Sequence, residues 1–402
     1  MSLTDFKTAF DNSYQEIFQK VLVAKEIMNT RFEPVLRYGE SVERVAVDIS
    51  GVRVRNVTRG SASTIDPLTD SGELLTINLE KEAVFHVSDG EATQAGPLNP
   101  AERIGGEIAI KVAQDLDARC FYEVLSAEFD FDNGDLTTLA STGTAITLNS
   151  TTVPQMVSRL PAKLRKRNNQ IVNTNMVLVV DSYAASDITQ YLLGKNIDLA
   201  EYVFKNGYTG DVQTAKMYVS ENLTGQAVLT ISQTPTDGDT VLIGGIVFTF
   251  NTTLTTTPGS VLISGSADAA RLNLTSLVNT PGTTTTFGTA LSSADQITLA
   301  DVLRLTATDV AAADTMTIIG TGSGRLVLAG TLTNTNNTWS KNFIHAYFGK
   351  RGAIDLVVQD MKPVDMRVTA DRRGTNVFSS YLAGVKTFAD GAKKFLDVLI
   401  AA

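Results

Sequence analysis

Asn99-Pro100-Ala101-Glu102-Arg103-Ile104-Gly105-Gly106-Glu107-Ile108, continuing through Val112, Leu116, Phe121, Tyr122 and Leu125, is the stretch on which the fold turns. Asn99 suits an N-cap, because its side-chain oxygen accepts one of the free backbone N–H groups that open a helix. Pro100 fits the first helical position, where no N–H is needed, and Glu102 stands where a capping box places its acid. Ile104, Ile108, Val112 and Leu116 recur every four residues and form one apolar stripe. Glu107 with Lys111 and Asp115 with Arg119 add i,i+4 ion pairs on the outer side, about 0.2–0.5 kcal/mol each. Gly105 and Gly106 weaken the first turns by up to about 1 kcal/mol each relative to alanine. The pattern predicts a long helix with one buried face, preceded by an extended arm and followed by a compact α+β body.

Upstream, residues 4–30 read as an amphipathic helix, with Phe6, Phe10, Ile17, Val21 and Leu22 mostly on one face and Pro34 ending it. Residues 1–35 are an N-terminal arm on this reading, packed on its own domain or on a neighbouring subunit. From Arg37 the period changes. Val42, Val45, Val47 and Ile49 alternate in part. Leu75, Ile77 and Leu79 alternate strictly with Thr76, Asn78 and Glu80, and Val84, Phe85 and Val87 continue the strand. A Gly/Ser/Asp/Pro cluster from Gly60 to Gly72 lies between, so residues 36–98 read as a long two-sided hairpin. An isolated hairpin is marginal in water; this one is expected to gain order from outside its own domain. Arg53, Arg55 and Arg59, with Asp66, Asp70, Glu73, Glu80 and Glu82, offer ion pairs within or between chains.

Downstream, Thr151-Thr152-Val153-Pro154 opens a helix that Lys163, Arg165, Lys166 and Arg167 close, cations suiting the last turn of a helix. Pro161 inside it predicts a kink or a break. Met176-Val177-Leu178-Val179-Val180 is a buried strand, Asp181 caps a helix through Leu193, and Met217-Tyr218-Val219 is a further strand. At Asn222 the composition shifts: no lysine or glutamate occurs before Ser340, and threonine dominates. Strand signals recur at Val228–Ile231, Thr240–Ile243, Ile246–Phe250, Val261–Ile263 and Met316–Ile319, with Asp237-Gly238-Asp239 and Gly244-Gly245 as hairpin turns. Only Ala267 to Asn279 looks helical. Residues 223–340 thus read as a separate, mostly β domain. The earlier charge mixture returns at Lys341, with strands at Phe343–Phe348, Ala353–Val358, Tyr381–Phe388 and Phe395–Ile400. The body is split into 99–222 and 341–402, with the Thr-rich domain set into a surface loop, where long insertions cost little.

The chain has 402 residues and a formal net charge of -9, enough length to bury a large core over two or three domains. An acidic balance argues against a dedicated nucleic-acid binder. Cys120 is the one cysteine, so no intramolecular disulfide forms and a buried, inert thiol is expected. No apolar run approaches a membrane span, and Met1–Asp5 lacks the pattern of a secretory signal. His86 and His345 are the only histidines, without an evident metal or nucleophile partner. Asp130-Phe131-Asp132-Asn133-Gly134-Asp135 has the look of a calcium loop, but Gly134 falls one place early and Ser141 stands where the bidentate acid belongs, so it reads as a turn. Gly320-Thr321-Gly322-Ser323-Gly324-Arg325 follows a strand as a phosphate loop does. Leu326-Val327-Leu328 then stands where a helix N-terminus is needed, so this too reads as a turn. No catalytic constellation, metal set or cofactor motif emerges, and a non-enzymatic role is expected.

Three stretches carry a resemblance. One is Met176-Val177-Leu178-Val179-Val180-Asp181-Ser182-Tyr183, a strand feeding a helix. Another runs from Gly210 through Met217-Tyr218-Val219-Ser220-Glu221-Asn222-Leu223, a strand ending in a Ser-x-Asn-Leu turn. The third is Phe348-Gly349-Lys350-Arg351-Gly352-Ala353-Ile354. Together with the order of parts, they resemble the tailed-bacteriophage major capsid protein family of the Hong Kong ninety-seven type, a fold also seen in herpesvirus capsids and bacterial encapsulin shells. The resemblance covers nearly all of residues 1–222 and 341–402. Asp237-Gly238-Asp239-Thr240-Val241 with Phe248-Thr249-Phe250 is similar to small β domains that recur in phage virion proteins.

The resemblance implies an α+β phage major capsid fold: N-terminal arm (1–35), extended β-hairpin loop (36–98), long spine helix with the first part of the peripheral and axial body (99–222), inserted β domain on the outer surface (223–340), and the rest of the body (341–402). It implies self-assembly through hexamers and pentamers into an icosahedral head shell, in a virion assembled in the host cytoplasm. Double-stranded DNA would be enclosed without sequence-specific binding, and scaffolding, portal and decoration proteins are the further partners to expect. Some relatives crosslink a hairpin lysine to a neighbour's asparagine. Lys81 is the only lysine of the hairpin here and nothing around Asn376 marks it as a partner, so no crosslink is expected. An encapsulin-like compartment shell and a virion decoration or adhesin protein stay open as alternatives.

Overall fold

The computed structural model describes residues 22–32, 39–48, 55–56, 66, 69–87, 100–167, 175–193, 211–212, 215–368 and 373–402. The first described element is a short helix, α1 (Ala24–Ile27), followed by strands β1 (Ser41–Asp48), β2 (Thr69–Thr76) and β3 (Leu79–Val87). The long helix α2 (Pro100–Tyr122) leads to β4 (Asp130–Phe131), α3 (Asp135–Thr138), α4 (Thr152–Arg167), β5 (Met176–Val180), α5 (Ser182–Leu193), β6 (Asp211–Val212) and β7 (Ala215–Val219). The Thr-rich stretch supplies β8 (Thr224–Thr230), β9 (Thr240–Ile243), β10 (Ile246–Asn251), β11 (Ser260–Leu262), α6 (Ala267–Asn279), α7 (Ser293–Ile297), β12 (Leu305–Val310), β13 (Thr315–Gly320) and β14 (Leu328–Thr331). The remaining elements are β15 (Thr338–Lys350), β16 (Asp355–Val368), β17 (Thr375–Lys386), α8 (Ala389–Ala392) and β18 (Phe395–Ala401). The architecture is α+β, and the chain divides into two compact units.

Helix α2 runs for 23 residues, as its caps and spacing predict, although Asn99 itself lies outside the described residues. Its buried face contains the predicted Val112, Leu116 and Phe121 but shifts away from the first half of the stripe. Gly105, Gly106, Ala109, Val112, Ala113, Leu116, Cys120 and Phe121 are buried, while Ile104 and Ile108 are only half-buried at the margin. The face is built largely from small residues, which let neighbouring segments approach closely, whereas a search for apolar bulk picks out the margin.

The first unit takes its described residues from 25–112 and 352–393. β1 and β2 form an antiparallel ribbon, in register from Ser41 opposite Thr76 to Asp48 opposite Thr69. The hairpin reading needs one correction: β3 does not prolong β2 in that ribbon but pairs with β17, in a sheet ordered β16-β17-β3. The strand signal from Leu75 to Val87 breaks at Ile77, whose N–H donates to Glu40 O at 2.8 Å. The chain crosses there close to Gly384, where an added Cβ would stand 2.6 Å from Thr76 O. Leu75, Val357 and Phe388 form a small core with Phe32, Val42 and Ile77 against it. The helix predicted over 4–30 lies mostly outside the described residues; in the described part Leu22 and Val23 are not helical and only Ala24–Ile27 is, after which Asn29 joins the segment leading into β16, donating to Ile354 O and accepting from Leu356 N.

The second unit takes its described residues from 22–24, 113–351 and 394–402. Its main sheet is ordered β12-β13-β8-β15-β5-β7-β6, with β18 on the other edge of β15 and β4 beyond it. β15 organises this sheet: Thr338–His345 pairs with β8, Tyr347–Lys350 with β5, and Phe343–Gly349 with β18. Residues 343–349 are buried on both faces, so the expected alternation gives way to a continuously covered strand. A second sheet, β11-β10-β9-β14, packs with α6 around Leu229, Val241, Phe248, Phe250, Leu274, Met316 and Ile318. The strands predicted at 228–231, 240–243, 246–250, 261–263 and 316–319 form, whereas the strand expected over Leu326-Val327-Leu328 begins only at Leu328, and β12 was not expected. α7 was not expected: at five residues it is too short for a period, though Ser292 caps it by accepting from Asp295 N. α4 neither breaks nor ends at Pro161. Burial of Met156, Leu160 and Leu164 outweighs the one backbone hydrogen bond that proline removes.

Candidate functional site

Several titratable side chains of the second unit are buried against partners. The acidic loop after β4 closes around an ammonium group. Lys163, on α4, binds the Asp135 carboxylate and Asp130 O, and its Nζ lies 2.7 Å from Ser141 Oγ; its side chain is 1% exposed and that of Asp135 0%. Asp132 accepts from the N–H groups of Gly134, Thr142 and Gly143. The loop is a turn, as its spacing predicts, and its internal cation is a lysine. The sequence reading of Lys163 as a helix-end charge is corrected here: seven residues after Met156 and three after Leu160, it falls on the buried side of α4.

His345, on β15, places Nδ1 2.6 Å from Asp397 Oδ2 and Nε2 3.1 Å from Gln226 Oε1. Burial pushes the Asp397 carboxyl above its ordinary range, with His345 pulling the other way. In the first unit, His86 on β3 pairs its Nδ1 with Asn376 Oδ1 at 2.7 Å. The Gly320–Arg325 segment is a turn closed by Ser323 N donating to Gly320 O, with Gly322 and Gly324 in the left-handed region at φ 71° and 58°. Arg325 then binds Asp181, the cap of α5, donates to Ala401 O and stacks on Tyr183. Cys120 is fully buried, and burial drives its thiol far above the usual range.

The buried polar partners that sequence reasoning missed are Lys163, Arg325 and Asp117, a carboxylate on the buried face of α2. Asp117 was within reach, because it shares a helix face with Ala113, Cys120 and Phe121. Lys163 and Arg325 were not, since their partners lie far along the chain.

Surfaces remain as places for a partner. Leu74 and Val84 in the first unit are 52% and 48% exposed. In the Thr-rich stretch, Arg271, Arg304 and Arg325 are each held by aspartates, and Val247, Leu272, Phe287, Ile297, Val302 and Val327 are exposed. Among the described residues no group of three or more His, Cys, Asp or Glu could hold a metal ion, and no helix is long and apolar enough to cross a membrane.

No protein-family model matches the sequence, and no curated protein matches it. Among solved structures, the chain is similar to one from Mycobacterium phage Che8, at 14% identity over 93% of this chain and 90% of that one, with a TM-score of 0.49. It is also similar to a chain in the capsid structure of the cyanophage P-SCSP1u, at 10% identity over 90% and 84%, with a TM-score of 0.43. A third is the virus-like particle from Pyrococcus furiosus, at 10% identity over 96% and 95%, with a TM-score of 0.38.

Proposed function

We propose that this chain is a shell-forming structural protein: the major capsid protein of a tailed phage, which assembles through hexamers and pentamers into an icosahedral head around double-stranded DNA. The observation that carries the reading is the order and form of its parts. A two-stranded ribbon precedes a 23-residue helix, and an α+β body follows, whose last strand returns onto its central strand β15. That is the order of elements in the family the sequence resembles. A two-stranded ribbon is marginal alone, and β1–β2 carries Leu74 half exposed beside the buried Leu75, so a neighbouring subunit is its natural cover.

Residues 223–340 form an insertion on this reading. Thr224, at the start of β8, and His345 of β15 are antiparallel partners, which brings the two ends of the insertion to adjoining points. On this reading the insertion lies on the outside of the shell. The test is electron microscopy of the purified protein, expressed alone and with its genomic neighbours. Closed shells or hexamer and pentamer rings support the reading. A monodisperse monomer under both conditions overturns it in favour of a decoration or adhesin protein.

A further inference from the structure

Asp117 projects from α2 among buried residues, with none of its own surface exposed. Its Oδ1 accepts from Ala24 N at 2.9 Å and its Oδ2 from Val23 N at 3.1 Å, while the Asn222 side chain makes a third hydrogen bond. Leu22 and Ala24 are buried at this contact, 3% and 0% exposed. The carboxylate therefore clasps the backbone of segment 22–24 where it meets α2. The hydrogen bonds come from two backbone amides and one neutral side chain, so none brings a counter-charge. The ionisable neighbours on α2 and the turn after it are Cys120 and Glu123, which add no positive charge. Arg119, two positions along, lies about 200° round the helix. From the other packed segments, Lys25, Glu26 and Glu221 are the charged residues, and all three are exposed.

We propose that Asp117 is a proton-linked latch for segment 22–24, closed while the carboxyl is protonated and loosened when it ionises. A lone charge in a dry site is costly, and a neutral carboxyl keeps an acceptor oxygen for the amides without that cost. Burial raises the Asp117 pKa from 3.8 to about 7, with the Ala24, Val23 and Asn222 hydrogen bonds pulling it down. When segment 22–24 lifts, water reaches the carboxyl and its pKa returns towards the ordinary range. The closed state then binds the proton more tightly than the open one, so acid favours closing. The latch is firm below about pH 4, weakens about tenfold per pH unit up to about 7, and is weakest above that.

The test is hydrogen–deuterium exchange of the full chain between pH 5 and 8, corrected for intrinsic rates and read on a peptide spanning Leu22–Met28. Protection at Val23 and Ala24 is expected to fall by up to about 100-fold across that range. In Asp117→Asn, which is isosteric and does not ionise, protection stays level; in Glu123→Gln the wild-type slope remains. Protection independent of pH in the wild-type chain overturns the proposal, and so does an unchanged slope in Asp117→Asn. Should that variant fail to fold, the wild-type series with Glu123→Gln still decides. The readout does not depend on shell formation, so its failure is separate from failure of the capsid reading.

Discussion

Lys163 belongs by sequence to a run of cations that suits the end of a helix, yet its ammonium is buried against Asp135 while Lys166, three residues on, is exposed. Removing one partner of such a pair leaves a buried charge unmatched, so Lys163→Ala is expected to cost about 3–5 kcal/mol. Lys166→Ala should stay within about 0.5 kcal/mol of wild type. Calorimetric unfolding of the two variants side by side tests this; equal small losses would contradict the buried-pair assignment. A pH effect belongs to the same scale. Burial raises the carboxyls of Asp117 and Asp397 above their unfolded values. Groups shifted that way contribute stability that is complete below the ordinary carboxylate range and lost as pH rises through the folded value, about 7 for Asp117. Melting at pH 5 is therefore expected at a higher temperature than at pH 8, and Asp117→Asn should narrow the gap. A gap as wide in the variant as in the wild type would remove Asp117 from the account.

At the scale of elements, local pattern and long-range pairing parted company. α2, β5, α5 and the Thr-rich strands were legible because each carries its own signal: a cap, an alternation or a turn dipeptide. The partner of β3 was not, because Leu79–Val87 carries one strand pattern whether it pairs with β1 or with β17. Nor was the continuity of α4 through Pro161, which depends on what the helix packs against. The site residues followed the same divide, with turns read correctly and their distant counter-charges unseen. Gly384 marks the place where pairing changes. A side chain there would meet Thr76 O at 2.6 Å and Ile77 Cα at 3.2 Å, and both are backbone atoms that do not swing aside. Gly384→Val should therefore push the β2–β3 connection off β17, at about 1–3 kcal/mol or more. Faster hydrogen exchange in β1, β2 and β3, with β5 and β15 unchanged, is the expected signature; unchanged exchange in the ribbon would mean that the crossing tolerates bulk.

The scale of the whole molecule sets charge against association. Each chain carries a net charge of -9, so if the proposed shell forms, bringing many copies together works against mutual repulsion. Ion pairs between subunits would oppose that repulsion, and the hairpin's arginines are the obvious donors. The described ones are engaged within the chain: Arg44 with Asp390 and Arg55 with Asp66. On that reading the net charge opposes association, and screening it should help assembly. Raising ionic strength from about 0.01 M to about 0.5 M shortens the reach of these charges from about 30 Å to a few ångströms. The concentration at which shells or capsomers first form, read by light scattering or sedimentation, is expected to fall over that range and then level off. A concentration that rises with salt would reverse the ranking. It would mean that ion pairs between subunits hold the proposed shell.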